Sequence, residues 1–275
     1  MIEDLANNVI RVEHGLWVSR NQSWVSYPQD GNVTCYAVED SSFWFQHRNR
    51  CILELVRSYP PGGTVFDVGG GNGFVSHALI KAGMDTVLVE PGAAGVMHAK
   101  ARGIPVIIHS TLEGAGFKSH SIPAIGLFDV LEHIQDDTGF LATLRDHLIP
   151  NGRLYITVPA YRRLWSVADD DAGHYHRYTL KSLTAKLADA KFRVEYGTYI
   201  FVLLVVPILI LRSLPSRLGL RKRQPIETYR GEFTRQETWV NHVLDWVHGI
   251  ELAALRGKRG LPLGASCLVV ARTAG

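Results

Sequence analysis

Residues 65–90 read VFDVGGGNGFVSHALIKAGMDTVLVE. An apolar pair, Val65 and Phe66, runs into Asp67, and glycines follow at 69, 70, 71 and 73. A helical pattern then begins, with Val75, Ala78, Leu79 and Ala82 on one face and Gly83 as its C-terminal cap. A second apolar strand, Val87 to Val89, ends in Glu90. The order strand, glycine turn, helix, strand is the opening half of a nucleotide-binding α/β sheet. Glycines let a backbone approach a ligand closely. The helix start offers free N–H groups and the positive end of a dipole. An acid at the tip of the second strand, about 20 residues past the glycine turn, is placed to bind a ribose diol.

The dinucleotide fingerprint G-x-G-x-x-G fits in no frame. From Gly69 the third glycine would be Phe74, from Gly70 the second would be Asn72, and from Gly71 the third would be Ser76. What stands instead is Asp67-x-Gly69-x-Gly71-x-Gly73. This resembles the first motif of class I S-adenosylmethionine (SAM) dependent methyltransferases. The resemblance implies that Asp67 and Gly69, Gly70, Gly71 and Gly73 hold the methionine part of SAM. Glu90, with Pro91 beside it, would take the ribose.

Four further stretches extend the resemblance. Trp44-Phe45-x-x-Arg48 is similar to an opening run in which the Arg pairs with the SAM carboxylate and the aromatics cover the pocket. A planar guanidinium fork suits a carboxylate. The bland alternative is a helix packed on the sheet edge. In STLEGAGF, Thr111 stands where the family usually has an acid for the adenine amino group, with Leu112 next to it. Pro123 replaces another common acid. The run LFDVLEH puts Phe128, Asp129, Glu132 and His133 at a strand tip, similar to the family's fourth motif, where the tip faces the transferred methyl. Two roles compete for it. One is contact with SAM or acceptor, with His133 as base. The other is a divalent-ion site at Asp129, Glu132 and His133, as in some relatives. The site reading carries no metal.

After strand RLYITVP comes the loop AYRRLWSVADDDAGHYHRYTLKSL. It resembles a subgroup pattern of Trp-Ser-x-x-Asp, then Gly-His, then Arg-Tyr-Thr. Asp169, Gly173, His174, Arg177, Tyr178 and Thr179 match. His174 is a natural base for an O or N nucleophile, oriented by Asp169; alternatively these residues only tie the loop to the sheet. Arg177 and Tyr178 read as structural, and Thr179 as a helix N-cap.

The rest of the 275 residues bounds the answer. The chain is 46% hydrophobic and 20% charged, with net charge +3, which is too weakly basic to argue for nucleic acid. Its mean hydropathy of +0.02 is ordinary for a globular chain. Cys35, Cys51 and Cys267 show no paired spacing, which points to a reducing, cytoplasmic setting and away from disulfides or zinc. Residues 1–42 read as an N-terminal extension or cap, with short strands in VIRVEHGLWVS and NVTCYAVED and turns at Tyr27-Pro28 and Asp30-Gly31. Residues 43–199 form the SAM-binding domain, 200–263 a helical insert and 264–275 the last strand.

In the insert, residues 200–215 are apolar but too short to span a bilayer, and Pro207 interrupts them. Arg212, Arg217, Arg221, Lys222 and Arg223 follow. Either this is a buried or dimer-forming helix, or it lies in a membrane interface with its cations on headgroups. Thr234-x-x-Glu237 reads as a capping box for a helix burying Val240, Val243, Leu244, Val247 and Ile250. The expected architecture is α/β, a Rossmann-like, mostly parallel sheet of seven strands with helices on both faces. The expected function is methyl transfer to an O or N nucleophile of a small or lipid-linked acceptor. Two rivals remain open: an NAD-dependent oxidoreductase, and a catalytically silent SAM-binding scaffold at a membrane.

Overall fold

The computed structural model describes residues 2–20, 31–220 and 239–275. A short helix α1 (Ile2–Leu5) leads into a hairpin of β1 (Val9–Glu13) and β2 (Leu16–Ser19). Helices α2 (Gly31–Tyr36) and α3 (Phe43–Ser58) follow, and then the nucleotide-binding half: β3 (Val65–Val68), α4 (Phe74–Lys81), β4 (Thr86–Val89), α5 (Ala93–Ala101) and β5 (Ile107–His109). The second half runs through α6 (Leu112–Ala115), β6 (Ile122–Phe128), α7 (Asp137–His147), β7 (Leu148–Pro159), α8 (Val167–Ala172), α9 (Leu180–Asp189) and β8 (Phe192–Ile200). Helical turns over 202–217, comprising α10 (Val205–Ile208), a π turn at Leu209–Ser213 and α11 (Leu214–Arg217), lead to α12 (Trp239–Arg256) and β9 (Ser266–Thr273).

Among the described residues nine strands form one sheet in the order β1-β2-β5-β4-β3-β6-β7-β9-β8. The expected seven are there, and the hairpin β1-β2 adds two more because β2 pairs in parallel with β5. VIRVEHGLWVS is therefore part of the sheet edge and not a separate cap. The second stretch expected as strand, NVTCYAVED, is instead helical in α2. β9 lies antiparallel between β7 and β8. Chain direction across the sheet reverses between β3 and β6, so a cleft opens at their carboxyl ends.

Successive side chains along the central strands alternate between two cores. Phe66, Ile125, Leu154, Ile156 and Val269 pack on one face, and Val65, Ala124, Tyr155 and Val270 on the other. Each fully enclosed Leu or Ile stabilises by about 1.5–3 kcal/mol. Gly83 takes the left-handed φ of 82° just past α4, as its capping role requires. Thr179 caps α9 by accepting the Ser182 N–H at 3.0 Å.

Two expectations in the insert change. Pro207 does not end the helical run, because the turns go from 3-10 through α to a wide π turn directly after it. In α12 the buried side chains are His248, Glu251 and Leu255, whereas Ile250 is 44% exposed. Leu244 and Val247 of the foreseen stripe are half-buried, and among the described residues the inner face also carries the polar His248 and Glu251. The Thr234–Glu237 box, the side chains of Val240 and Val243, Arg221 to Arg223 and the turns at Tyr27–Asp30 lie outside the described residues.

Candidate active site

The carboxyl ends of β3, β4, β6 and β7 border one cavity of about 1710 Å³. On the β3–β4 side the glycine turn hugs two carboxyls. A side chain at Gly70 would strike Leu88 and the Asp67 carboxyl. Gly71 takes φ 54° and aims its N–H at Glu90 Oε2, 2.8 Å away. Glu90 Oε1 accepts the Gly92 N–H at 2.7 Å and the Asn32 amide at 3.4 Å. Burial still outweighs these donors and pushes the Glu90 carboxyl up to about 7. Asp67 is wholly enclosed, with Oδ2 accepting the Ser76 hydroxyl at 2.6 Å. Its buried Oδ1 has no hydrogen-bond partner among the described residues, and burial pushes the carboxyl up to about 6.

These features fit a SAM-type cofactor. A glycine cradle with no room for side chains lies beside an acid at the second strand tip, and an orphaned carboxyl oxygen awaits a donor. Asp67, Gly69, Gly70, Gly71, Glu90, Pro91, Thr111 and Phe128 line the cavity. Gly73 does not. Its φ of 72° starts α4, and a side chain there would press on Ala99 and Ile104. Leu112 also turns away, 1% exposed within the core. Thr111 caps α6 by accepting the Gly114 N–H at 2.9 Å, and the acid Glu113, two residues on, lines the cavity.

Helix α2 was not legible as part of the site. Asn32, Val33 and Glu39 line the cavity edge. The Asn72 amide donates to the Asn32 carbonyl at 2.9 Å and to Glu39 at 3.0 Å, drawing α2 onto the glycine turn. Gly95, in the first turns of α5, leaves the space that the Asn32 amide occupies. That mid-helix glycine was the available signal.

Helix α3 brings Trp44, Phe45 and Arg48 to the wall. The Arg48 guanidinium lies 4.9 Å from the Trp44 ring centroid and 5.3 Å from that of Phe45. It forms an ion pair with Asp129, where the resemblance implied the SAM carboxylate as partner. Arg48 Nε is buried and has no partner of its own among the described residues.

Asp129 sits past the β6 tip at φ 56°, a left-handed conformation that costs a non-glycine residue about 1–3 kcal/mol. The Arg48 pair and the Thr157 hydroxyl, 2.9 Å from Oδ1, over-determine it. Beyond it, Glu132, His133 and His174 bring one ligand atom each within 4.8 Å of one another and could hold a divalent ion. In that set His174 takes the place foreseen for Asp129. The His133 and His174 rings meet edge to face at 4.7 Å. Burial, and then the neighbouring His174, lower His133 to about 4, so its imidazole is neutral at ordinary pH. Burial and the nearby Asp129 raise the enclosed Glu132 carboxyl well above its usual range.

The loop after β7 is organised by Asp169, which is buried and does not line the cavity. It receives His174 Nδ1 at 3.0 Å, Arg177 Nε at 2.6 Å and the Ser166 N–H at 2.8 Å. Burial pushes this carboxyl up, but His174 and Arg177 together outweigh it and hold it at about 2. A carboxylate on Nδ1 keeps the proton there and leaves Nε2 with its lone pair. The Tyr175 N–H donates to the Glu132 carbonyl at 2.7 Å, pinning the loop over the β6 motif. Tyr178 donates to Asp137 at 2.9 Å and serves packing.

The chain is similar to known proteins in sequence and fold. The family model described as "Methyltransferase domain" matches residues 42–196, more than half of the chain. A probable S-adenosylmethionine-dependent methyltransferase of Mycolicibacterium smegmatis is 24% identical over 171 residues, 61% of this chain and 66% of that one. The mitochondrial ubiquinone biosynthesis O-methyltransferase of Schizosaccharomyces pombe is 27% identical over 35% of this chain and 38% of its own. The chain thus spans under two thirds of these relatives. Among solved structures, a Haloferax volcanii methyltransferase in complex with the Trm112 activator aligns with TM-score 0.55 at 16% identity, covering 90% of this chain and 94% of that one. A Haemonchus contortus phosphoethanolamine N-methyltransferase bound to S-adenosylhomocysteine aligns with TM-score 0.56 at 15% identity, covering 91% of this chain and 58% of that one. These likenesses carry the fold. The family match counts against the oxidoreductase. The chain belongs to the methyltransferase domain family, and its relatives include S-adenosylmethionine-dependent enzymes.

Proposed function

We propose that this enzyme methylates an O or N nucleophile on an amphiphilic acceptor, either a small apolar molecule or a lipid-linked one. The observation that carries this reading is the extent of the cavity. At about 1710 Å³ it exceeds the roughly 300–1,000 Å³ of a single-ligand pocket. It runs from the glycine turn past His133 and His174 to an apolar wall of Leu204, Pro207, Ile208 and Leu211. One end suits a nucleoside and the other a hydrocarbon.

Bound SAM supplies an electrophilic methyl on a sulfonium. The residues of this chain do the rest. Asp67 and Glu90 offer acceptors to the ammonium and the ribose hydroxyls. Trp44, Phe45 and the Arg48–Asp129 pair close the wall beside them and exclude water. His174, with Nδ1 held by Asp169, presents Nε2 to take the proton of the attacking hydroxyl or amine, and neutral His133 stands next to it. Holding both reactants in one enclosed space supplies much of the rate.

The test is single-turnover methyl transfer with a panel of hydroxyl and amine acceptors bearing alkyl chains. We expect His174→Ala to lower the rate about 10²–10⁴-fold, the usual worth of a general base. S-adenosylhomocysteine affinity should stay within about twofold, since the imidazole acts on the acceptor and not on the cofactor. Full turnover in both His174→Ala and His133→Ala would remove the proton-transfer role, and a preference for acceptors without a chain would remove the amphiphilic one.

A further inference from the structure

Residues 202–220, VLLVVPILILRSLPSRLGL, hold no acid and two arginines. A surface helix ordinarily turns apolar residues inward and polar ones outward. Here both sides are apolar. Leu204 and Ile208 line the cavity, and Val205 and Leu209 pack on the second core. On the other side Leu203, Val206, Ile210, Leu214 and Leu218 recur every three or four residues and are all exposed, Leu218 by 71%. Leu211 belongs to both sides: it lines the cavity and is 67% exposed. The cavity therefore opens onto this apolar face, and Leu211 forms its rim. Contiguous exposed apolar surface of this kind marks an interaction site.

We infer that the outer face of the 202–218 helical run docks on an anionic lipid bilayer, and that the acceptor's chain passes from the bilayer over Leu211 into the cavity. This deepens the reading above and rests on an amphiphilic acceptor. Charge favours that occupant. Arg217 stands at the end of the run and donates to the Arg163 carbonyl at 2.8 Å, which places two exposed arginines together. In sequence Arg221, Lys222 and Arg223 follow directly. Cations beside an apolar stripe complement anionic headgroups over hydrocarbon. A second copy of the chain on this face would seal the rim at Leu211, whereas a bilayer keeps it open to lipid. No described helix is long and apolar enough to cross a membrane, so the run lies along the surface.

Flotation of the full chain with vesicles decides the matter. Phosphatidylcholine vesicles with about one third phosphatidylglycerol carry the required charge. We expect binding to these vesicles and at least about tenfold less to pure phosphatidylcholine or at about 1 M salt, where charges are screened beyond a few ångströms. Ile210→Glu combined with Leu218→Glu should lower vesicle binding about tenfold or more, because a carboxylate cannot enter the apolar layer. Melting temperature and S-adenosylhomocysteine affinity of that variant should be unchanged. Wild-type protein that stays with the aqueous phase overturns the inference. So does a wild-type dimer in sedimentation equilibrium that the same substitutions dissolve, since the face would then join two copies. Vesicle binding without methyl transfer to any lipid supports the docking face and counts against the acceptor reading alone.

Discussion

At the scale of single residues, Asp67 sets the electrostatics of the cofactor end. Its folded carboxyl holds a proton to about 6, against about 3.8 unfolded, because burial outweighs the Ser76 hydroxyl. A group whose folded value is raised contributes stability that is complete below its unfolded value and is lost as pH rises through the folded one. Here the window runs from about pH 4 to above 6, and the loss is about 3 kcal/mol at 1.36 kcal/mol per unit. Asp67→Asn keeps an acceptor for Ser76 and removes the charge. It should raise the melting temperature of the cofactor-free protein by about 5 °C or more at pH 8, and not at pH 4. It should also weaken SAM binding about tenfold or more by removing a charged acceptor. Equal melting at pH 8 would show that Asp67 is not strained by its burial. Asp169 works in the opposite sense, through His174. Asp169→Asn should lower the turnover rate about 10²–10⁴-fold, because a neutral amide can turn its NH2 to Nδ1 and no longer fixes the imidazole's tautomer by charge. S-adenosylhomocysteine binding, measured by calorimetry, should hardly move.

At the scale of elements, Glu251 joins three pieces of the site. From α12 it accepts the Phe201 and Val202 N–H groups at 2.9 and 2.8 Å, and it meets His47 Nε2 of α3 at 2.7 Å. Burial raises this carboxyl, but His47 and the two N–H groups together pull it below its ordinary value. Phe201, at φ 63°, is the bend where β8 gives way to the apolar run. Its ring stacks on Trp44 at 5.5 Å, and Trp44 carries Arg48. The Arg48 wall of the cavity and its apolar wall at 204–211 thus share one anchor. Glu251→Ala leaves a buried imidazole and two N–H groups without their acceptor, which should cost about 3 kcal/mol or more. Urea unfolding should show a lower midpoint at an unchanged slope. A change below about 0.5 kcal/mol would mean that the carboxylate is replaceable by water.

Across the whole molecule, legibility followed the distance over which a feature is determined. The turn at 67–73, the Glu90 tip and the β6 motif are local, and their spacing together with the family resemblance pointed to the cleft. The mostly parallel character of the sheet core followed from strand types and the helices between them. What escaped was set by partners far away in sequence. Asn32 is site-forming only because Glu90, Asn72 and a gap at Gly95 receive it. The buried face of α12 is chosen by His47 and Phe201, so its polar residues point inward. β1 and β2 look like an appendage until β5 offers an open edge. Asp129, Tyr161 and Phe201, which leave the ends of β6, β7 and β8 with positive φ, carry no side-chain signature of that strain.

The central claim is that the turn after Asp67 and the Glu90 carboxyl seat the nucleoside, with the reacting end toward Asp129, His133 and His174. A crystal structure of the protein with S-adenosylhomocysteine tests it most directly. We predict ribose hydroxyls at hydrogen-bond distance, about 2.6–3.2 Å, from the Glu90 oxygens and the sulfur facing the two imidazoles. A nucleoside bound elsewhere, or a ribose with no contact to Glu90, would contradict it.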